Sequence, residues 1–328
     1  MNVMYTCDNN FVWLMEISVI SLFENSKNIE NLKVYLLGEK VSQENKEELR
    51  RVSERYKRRI EIIDVPEITI PPSLVSSRWP LSAYTRLFSG QILPPNVDKI
   101  LYLDCDTIIS GDISELDEIE FDGNIAYAVK DCVSGSYKKN IGLGKNAPYF
   151  NAGVILLDIN ALREIDVNKK IEEYMKKYME LINYADQDIF NGVFDGKIGE
   201  LSPKFNFMTI NAVHTYEEVQ TLRHPTNFYS KKEFDIAKKN PVIIHYTTNM
   251  LVIRPWFSNT NHPLKDEFEK YMDMSIWKNK KANAMKFKSK EAKVIKMIMK
   301  LPQNVAYCIL GVIHAELKPA YIKMRCRR

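Results

Sequence analysis

The sequence lacks paired cysteines and has no long uninterrupted apolar run. Its five cysteines are scattered, with no Cys-x-x-Cys pair, at Cys7, Cys105, Cys132, Cys308 and Cys326. An odd, scattered set of thiols argues against a disulfide framework or a zinc site and is typical of a reducing compartment. No apolar run reaches the roughly 20 residues that cross a bilayer, and no basic segment followed by an apolar one marks a signal peptide. We therefore expect a cytoplasmic protein.

A strong positive charge is also missing from most of the chain. The formal net charge of the 328 residues is +4, yet residues 278–328 alone hold 14 Lys and Arg against 2 Asp and Glu. The remainder is therefore acidic, which argues against a nucleic-acid partner for the body of the protein. The basic character belongs to the C-terminal segment.

The first 130 residues alternate between strand and helix patterns. Nearly continuous apolar segments predict strands at 3–7, 32–37, 60–65 and 99–103, and amphipathic segments predict helices at 11–25 and 42–59. Strands of this kind are covered by helices on both faces, and repeated β-α-β units favour a mostly parallel sheet. Beyond residue 106 the pattern is less regular, with further strands expected at 125–130, 153–158 and 242–246 and helices at 168–181 and 186–194.

This organisation predicts an α/β protein with one Rossmann-like domain around a mixed, mostly parallel central sheet. We expect the domain to cover residues 1–262. A basic, helical C-terminal extension is expected over residues 263–328, because the mixed pattern changes to helical, lysine-rich sequence near Pro263.

The predicted strand at 99–103 is followed by two carboxylates one residue apart, Asp104 and Asp106. Open parallel sheets bind ligands at the carboxyl ends of their strands, and two carboxylates there suit a hard cation that bridges protein and diphosphate. A solvated strand end or a helix cap is the plainer interpretation. A phosphatase with Asp104 as nucleophile is another, although the glycine expected before Thr107 in haloacid-dehalogenase-like enzymes is absent.

Three further polar groups are candidates for binding. His245 ends an apolar strand; it is either a structural histidine or a nitrogen ligand that would favour Mn²⁺ over Mg²⁺. Asp186 and Gln187 open a helix, where acidic residues are expected from the helix dipole alone, but where carboxylate and amide could also bind sugar hydroxyls. Asn151 lies in a small turn before a strand, either as a turn residue or beside a substrate.

Taken in order, these segments resemble the family 8 retaining glycosyltransferases, a group that includes bacterial lipooligosaccharide and lipopolysaccharide galactosyl- and glucosyltransferases and, more distantly, glycogenin. The resemblance runs from Met1 to about Trp256 and implies a GT-A fold, a Mn²⁺ or Mg²⁺ cofactor, a UDP-hexose donor, a saccharide or lipid-linked saccharide acceptor, and retention of configuration. It implies metal ligands at Asp104, Asp106 and His245. The residues implied for UDP-sugar binding are Thr6, Asp8, Asn10, Phe11, Arg86, Asp104, Cys105, Asp106, Asn151, Ala152, Asp186, Gln187, His245 and Arg254, and those implied near the reaction centre are Asp131, Asp186 and Gln187.

One segment departs from the family pattern. The family follows its metal histidine with a short glycine-containing loop and then Lys-Pro-Trp, whereas here residues 247–253 form a longer loop without glycine before Arg254. Arginine keeps the charge and can bind phosphate in a bidentate way. Arg254 is therefore the expected diphosphate contact, on a loop that differs from the family's.

Two further questions stay open at the level of sequence. The basic extension, with Lys293, Lys296 and Lys300 on one helical face, is either a packed helix pair with a solvated face or a segment that attaches peripherally to an anionic membrane surface. The alternatives to a glycosyltransferase acting in lipopolysaccharide or capsule synthesis are an Asp-nucleophile phosphatase or nucleotide-sugar hydrolase, and a catalytically weak UDP-sugar-binding protein.

Overall fold

The computed structural model describes residues 1–65, 84–280 and 283–326. Its first part alternates strands and helices as the sequence predicts. The elements are β1 (Asn2–Asp8), α1 (Val12–Asn25), β2 (Lys33–Glu39), α2 (Gln43–Tyr56) and β3 (Arg59–Asp64).

Local sequence signals explain where α2 begins and ends. The Ser42 hydroxyl accepts a hydrogen bond from the backbone N–H of Asn45, which satisfies one of the free donors of the first turn. At the other end Lys57 adopts a left-handed conformation with φ of 51°, and its N–H returns to the last carbonyls of the helix. The chain then reverses directly into β3.

The rest of the chain is more irregular. The strands are β4 (Lys99–Leu103), β5 (Thr107–Ile109), β6 (Ala126–Lys130), β7 (Phe150–Asp158), β8 (Ile198–Glu200), β9 (Phe207–Met208) and β10 (Ile243–His245). The helices are α3 (Ser89–Ile92), α4 (Gly135–Asn140), α5 (Ile159–Arg163), α6 (Val167–Tyr178), α7 (Ala185–Val193), α8 (Thr209–Val213), α9 (Tyr216–Arg223), α10 (Lys231–Lys239), α11 (Lys265–Met272), α12 (Lys290–Ile298), α13 (Gln303–Val312) and α14 (Lys318–Arg325). Short 3₁₀ turns cover Thr85–Phe88, Ser114–Leu116, Met179–Leu181, Pro203–Asn206 and Ile276–Asn279, and a π-helical turn, Ile313–Leu317, joins α13 to α14.

A seven-stranded sheet in the order β3-β2-β1-β4-β7-β6-β8 forms the centre of the molecule. The first four strands are parallel, β7 is antiparallel to both β4 and β6, and β8 is parallel to β6. The predicted mixed, mostly parallel sheet is therefore confirmed. Because β1 and β4 are parallel neighbours, their carboxyl ends open on the same edge of the sheet.

A second, three-stranded sheet in the order β5-β10-β9 leads away from that edge. Strand β10 is antiparallel to β5 and parallel to β9, with His245 opposite Thr107. The strand predicted around residues 242–246 thus lies outside the central sheet, and this pairing carries its histidine to the end of β4.

The core has one layer on each face of the central sheet. Along β1, Val3 and Tyr5 pack on the face covered by α1, while Met4 packs on the other face with Tyr102, Ile171 of α6 and Phe190 of α7. All of these side chains are buried. Burial on both faces explains why the strand sequences are nearly continuous in apolar residues.

The C-terminal segment packs in two places. Phe268 and Tyr271 of α11 join the main core, where the Tyr271 hydroxyl accepts a 2.6 Å hydrogen bond from Asn25. Helices α12 and α13 instead pack against Leu222 of α9. The division into 1–262 and 263–328 stays a prediction, and the structure shows contacts across it.

One helix of the described residues has the length and composition of a membrane span. It runs without a break over Gln303–Arg325, for 23 residues. Isolated polar residues interrupt it, which is why the sequence contains no continuous apolar run. Length and composition by themselves are weak evidence for a span, because core helices of water-soluble proteins pass the same test.

Candidate functional site

Three predicted metal ligands meet at the carboxyl end of β4. The Nε2 atom of His245 lies 3.2 Å from Oδ1 of Asp106 and 3.5 Å from Oδ2 of Asp104. One ligand atom from each residue lies within 4.8 Å of the other two. Two carboxylate oxygens and an imidazole nitrogen form a donor set that suits Mn²⁺ or Mg²⁺.

The histidine ring is oriented by a residue that carries no recognisable motif. Nδ1 of His245 lies 2.9 Å from Oδ1 of Asn206, which can only accept a hydrogen bond. Nδ1 therefore carries the proton, and the lone pair of Nε2 faces the two aspartates. The amide of Asn206 is itself fixed, because its nitrogen donates to Oδ1 of Asn151 at 2.8 Å.

The charges of the three ligands depend on one another. Burial alone would lower the pKa of His245, but the adjacent Asp106 and Asp104 outweigh it and raise that pKa. Burial likewise opposes ionisation of Asp106, yet His245 and Arg254 lower the pKa of the carboxyl. The histidine and the aspartates therefore each favour the charged form of the other.

Gly153, on β7, makes room for this arrangement. A Cβ atom at residue 153 would lie 2.1 Å from Cε1 of His245 and 2.8 Å from Oδ2 of Asp104. The same residue accepts a 2.8 Å hydrogen bond from the backbone N–H of Asp104. No other residue type fits this point without displacing a ligand, so the geometry of the cluster is specified by the sheet beneath it.

Arg86 connects the metal cluster to the expected sugar site. Its Nη1 lies 3.0 Å from Oδ1 of Asp104 and donates to the carbonyl of Ala152, and its Nε lies 3.1 Å from Oδ2 of Asp186. The guanidinium stacks 4.2 Å from the ring centre of Tyr102, whose hydroxyl donates to Asp104. Burial raises the pKa of Asp186 to about 6, although Arg86 acts in the opposite direction.

Gln187 lies at the centre of a polar network that joins three predicted residues. Its Oε1 accepts hydrogen bonds from Nδ2 of Asn151 at 2.9 Å and from the N–H of Ala152 at 3.1 Å. Its Nε2 donates to Oδ2 of Asp131 and to the Tyr149 hydroxyl, each at 3.2 Å. The structure therefore brings Asp131, Asn151 and Gln187 into one cluster beside Arg86 and the metal ligands.

A buried carboxylate holds the start of α7 in place. Asp188 is fully buried and accepts hydrogen bonds from the hydroxyls of Tyr137 and Tyr149 and from the backbone N–H groups of Asn183 and Tyr184. These bonds fix the turn that presents Asp186 and Gln187. The two tyrosines are missed by sequence reasoning, since nothing in their spacing links them to the helix.

The residues expected to contact the nucleotide lie at the end of β1. The Thr6 hydroxyl lies 3.3 Å from that of Tyr102, and the Cys105 thiol donates weakly to the Thr6 carbonyl at 3.6 Å. Beyond the strand, Oδ1 of Asp8 accepts from the N–H of Asn10 at 2.7 Å, while the Phe11 ring is 49% exposed. These positions adjoin the metal cluster because β1 and β4 are parallel neighbours.

The expected diphosphate contact also reaches the cluster. Nη2 of Arg254 lies 3.4 Å from Oδ2 of Asp106 and donates to the Thr248 hydroxyl at 3.0 Å, and the guanidinium lies 5.3 Å from the ring centre of Trp256. Among residues 1–65, 84–280 and 283–326, the buried Nε of Arg254 finds no hydrogen-bond acceptor. The longer loop therefore still places a positive charge beside the metal ligands.

Fold and site together define a GT-A type glycosyltransferase, with a mixed α/β sheet and an Asp-x-Asp motif at a strand end. Residues 2–260 match the model of the family described as Glycosyl transferase family 8. The chain belongs to this family, as the resemblance predicted. The assignment replaces the phosphatase interpretation, and Asp104 is already bound by Tyr102 and Arg86.

Similar proteins span most of the chain. General stress protein A of Bacillus subtilis is 24% identical over 84% of this chain and 94% of its own length. Lipopolysaccharide 1,2-glucosyltransferase of Escherichia coli K12 is 24% identical over 85% of this chain and 79% of its own length. A crystal structure of galactosyltransferase LgtC in complex with donor and acceptor sugar analogues is 23% identical and matches with a TM-score of 0.70 over 84% of this chain and 96% of that one. The structural match confirms the predicted GT-A fold.

Proposed function

We propose that this protein transfers a hexose, galactose or glucose, from a UDP-sugar to a saccharide acceptor, with retention of configuration and with a divalent cation as cofactor. The observation that carries the proposal is the double connection of the metal cluster to the expected sugar site: the buried Arg86 joins Asp104 to Asp186, and Asn206 joins His245 to Asn151 and Gln187. Relatives named as lipopolysaccharide glucosyl- and galactosyltransferases support a role in cell-surface glycan synthesis.

The chemical requirement is the departure of a diphosphate from the anomeric carbon. Bound at Asp104, Asp106 and His245, Mn²⁺ or Mg²⁺ would act as a Lewis acid toward that diphosphate. Arg254 adds fixed positive charge beside the metal ligands, with its Nη2 3.4 Å from Oδ2 of Asp106. Arg86 is already paired with two carboxylates, so its part is to hold Asp104 and Asp186 in position.

The residues beside the sugar favour attack from the face that the diphosphate leaves. Gln187 is an amide and therefore a poor nucleophile. Asp186 is buried and paired with Arg86, which restrains its carboxylate. In the proposed reaction Asp186 and Gln187 position the sugar, and the leaving phosphate takes the proton of the acceptor hydroxyl. A covalent hexosyl adduct on Asp186, detected by mass spectrometry of peptides after quenching, would contradict this order of events.

A panel of UDP-sugars tests the function itself. The full chain is incubated with each donor and Mn²⁺, and UDP and free sugar are quantified with and without a mixture of saccharide acceptors. We expect one UDP-hexose to release UDP, and release to rise when an acceptor is present. Free sugar in equal yield under all conditions would indicate a hydrolase, and UDP binding without any turnover would indicate a binding protein.

We also propose that the protein acts at the cytoplasmic face of a membrane, through its C-terminal helices. Most of the large apolar side chains that the described residues leave exposed belong to this segment: Val294, Met297, Met299, Leu301, Val305, Ile309, Val312, Ile313, Leu317, Tyr321 and Met324. Lysines lie among them at Lys293, Lys296, Lys300, Lys318 and Lys323. Apolar area together with positive charge is the composition that binds an anionic lipid surface.

A further inference from the structure

A cavity of about 620 Å³ begins at the polar cluster of the candidate site and ends against the C-terminal helices. Asp131, Asn151 and Gln187 line one end, whereas Phe287 and Ile295 line the other. The segment after residue 283 therefore forms a wall of the site. A ligand whose sugar reaches Gln187 extends toward α12.

A second cavity, of about 370 Å³, lies further along the same path. The residues that line this cavity alone come from α9, α12, α13 and the turn after α13, and all but Lys290 are apolar: Leu222, Val294, Ile298, Leu310 and Ile313. The two cavities share Arg223, Met250, Glu291, Ile295, His314 and Lys318. They are therefore adjoining parts of one groove, polar at the reaction centre and apolar at its far end.

The junction between the two parts carries positive charge. Arg223 and Lys318 face it against a single carboxylate, Glu291. Arg223 is held in place by a 3.1 Å hydrogen bond to Oδ1 of Asn249. Burial, together with these two cations, lowers the pKa of His314 to about 3, so the ring is neutral near pH 7. An anionic group such as a phosphate matches this junction.

The apolar part of the groove has rigid walls. A Cβ atom at Gly311 would lie 2.0 Å from the Thr221 carbonyl, which shows how closely α13 approaches α9. The helix turn that follows is fixed to the body, since the Ser134 hydroxyl donates to the carbonyl of Ala315 at 2.7 Å and Nδ2 of Asn140 donates to that of Pro319 at 2.8 Å. The groove is therefore formed before any ligand binds.

The apolar end also adjoins the exposed apolar surface of the C-terminal helices. Val294 and Ile313 line the cavity and are 46% and 38% exposed. A chain leaving the groove at these residues meets the exposed apolar side chains of α12 and α13, with lysines such as Lys290 and Lys293 beside them. The order along the path is thus sugar-binding groups, positive charge, apolar groove and apolar surface.

We propose that the acceptor is a saccharide joined through a phosphate to a lipid chain, with its sugar at Asp131 and Gln187, its phosphate between Arg223 and Lys318, and the first part of its chain in the apolar groove between α12 and α13. A ligand with these three parts in this order matches the whole path. The inference rests on the proposed glycosyl transfer, for which it names the class of acceptor.

Alkyl phosphates test the groove without knowledge of the natural sugar. Butyl and dodecyl phosphate are titrated into the full chain by calorimetry, with the dodecyl compound kept below its micelle concentration. Because each methylene that enters the groove leaves water, we expect dodecyl phosphate to bind roughly 100-fold more tightly than butyl phosphate. Equal affinities would overturn the proposal.

Two substitutions on one helix separate the groove from the outer surface. Ile295→Arg places a charge in the lining and is expected to weaken dodecyl phosphate binding by at least about tenfold. The matched control is Met297→Arg, because Met297 is 65% exposed and outside the groove; it is expected to keep wild-type affinity. Equal losses of dodecyl phosphate affinity in both variants would place the alkyl chain on the outer surface of the helices and overturn the proposal. If Ile295→Arg shows no cooperative unfolding transition, Val294→Arg at the groove mouth decides by the same criterion.

The phosphate position has its own test. Arg223→Gln is expected to weaken dodecyl phosphate binding while leaving that of the uncharged dodecyl β-D-glucoside unchanged. Equal effects on both ligands would remove the phosphate from the proposal. UDP release by the wild-type preparation is measured in parallel. If the protein releases UDP but binds butyl and dodecyl phosphate equally, the acceptor class alone is overturned. If no UDP-sugar yields UDP, the proposed function is contradicted.

Discussion

At the scale of single residues, the candidate metal site depends on a side chain that touches neither aspartate. Asn206 accepts from Nδ1 of His245 and donates to Asn151, so it links the histidine to the sugar-side network. This bond selects the tautomer in which Nε2 can bind a cation. Asn206 thus positions a ligand without being one.

We therefore expect Asn206→Ala to weaken Mn²⁺ binding by about 10- to 100-fold, the usual effect of losing such a support. Calorimetric titration of Mn²⁺ into the metal-stripped protein measures the change. Asn124→Ala, at the far end of the sheet beside Tyr127, serves as the control and should bind Mn²⁺ as the wild type does. Unchanged affinity in Asn206→Ala would remove Asn206 from the site.

A second residue-scale feature concerns stability. Glu16 is 1% exposed in α1, and burial raises its pKa to about 7, against a 2.9 Å hydrogen bond from Trp277. The folded protein therefore holds this proton more tightly than the unfolded chain does. Between pH 4.5 and about 7 the unfolded state loses the proton first, so folding stability falls as pH rises through this window.

Glu16→Gln removes that ionisation while it keeps an acceptor for Trp277. Its free energy of unfolding should exceed that of the wild type at pH 8, by on the order of 3 kcal/mol at most, and the gain should shrink toward pH 5. Urea denaturation at the two pH values measures both differences. A variant that is less stable than the wild type at pH 8 would show that the charged carboxylate is stabilising.

Asp104, Asp106 and His245 are predictable from the sequence, because aspartate and histidine at the ends of apolar strands are candidate metal ligands. Asn206 and Tyr149 could not be found in this way. Their functions arise from pairings between distant segments, and an asparagine or tyrosine in isolation is typical of many surface and core positions. The ionic link from Arg86 to Asp104 was equally hidden, because its distance depends on how a 3₁₀ turn packs on β7.

At the scale of elements, the site exists because β7 is the sheet neighbour of β4 and has a glycine, Gly153, beside Asp104. Gly153→Ala would drive a methyl group into the His245 ring. We expect loss of Mn²⁺ binding and of UDP release, with the cooperative unfolding transition retained. The matched control is Gly144→Ala, since the nearest atoms to its Cβ would be 3.8 Å away. Both variants are compared by Mn²⁺ titration, and wild-type affinity in Gly153→Ala would mean that the cluster is not the metal site.

The elements of the first half were predictable because continuous apolar strands alternate with amphipathic helices. The second sheet was not. Strand β10 has three residues, and its apolar pattern specifies a buried strand without specifying a partner. Only the pairing with β5 brings His245 to the aspartates, so the strand was predictable and its place was not.

At the scale of the whole molecule, the C-terminal helices both complete the groove and expose apolar side chains. Deleting these helices would expose Leu222, which packs against α13. A loss of membrane binding could then not be distinguished from a loss of folding. A pair of surface changes avoids this difficulty. Leu317 and Tyr321 are 57% and 65% exposed, on the side away from the body.

We expect the double variant Leu317→Glu with Tyr321→Glu to bind vesicles containing anionic lipid at least about tenfold more weakly than the wild type, because it loses apolar area and gains like charge. Sedimentation with the vesicles measures binding. Ile236→Glu, at a residue 53% exposed on α10, is the control and should sediment as the wild type does. If the double variant sediments equally well, the helices do not attach the protein to membranes.

The most direct test of the account is the metal requirement of UDP release. Metal-stripped protein is mixed with the UDP-hexose that the panel selects, and the initial rate is followed as Mn²⁺ is added, for the wild type and for Asp106→Asn. We predict negligible release without metal, saturable activation of the wild type, and no activation of the variant within the wild-type Mn²⁺ range, both proteins unfolding cooperatively. Full release by the metal-stripped wild type, or a normal Mn²⁺ response in Asp106→Asn, would contradict the central claim that Asp104, Asp106 and His245 hold the catalytic cation.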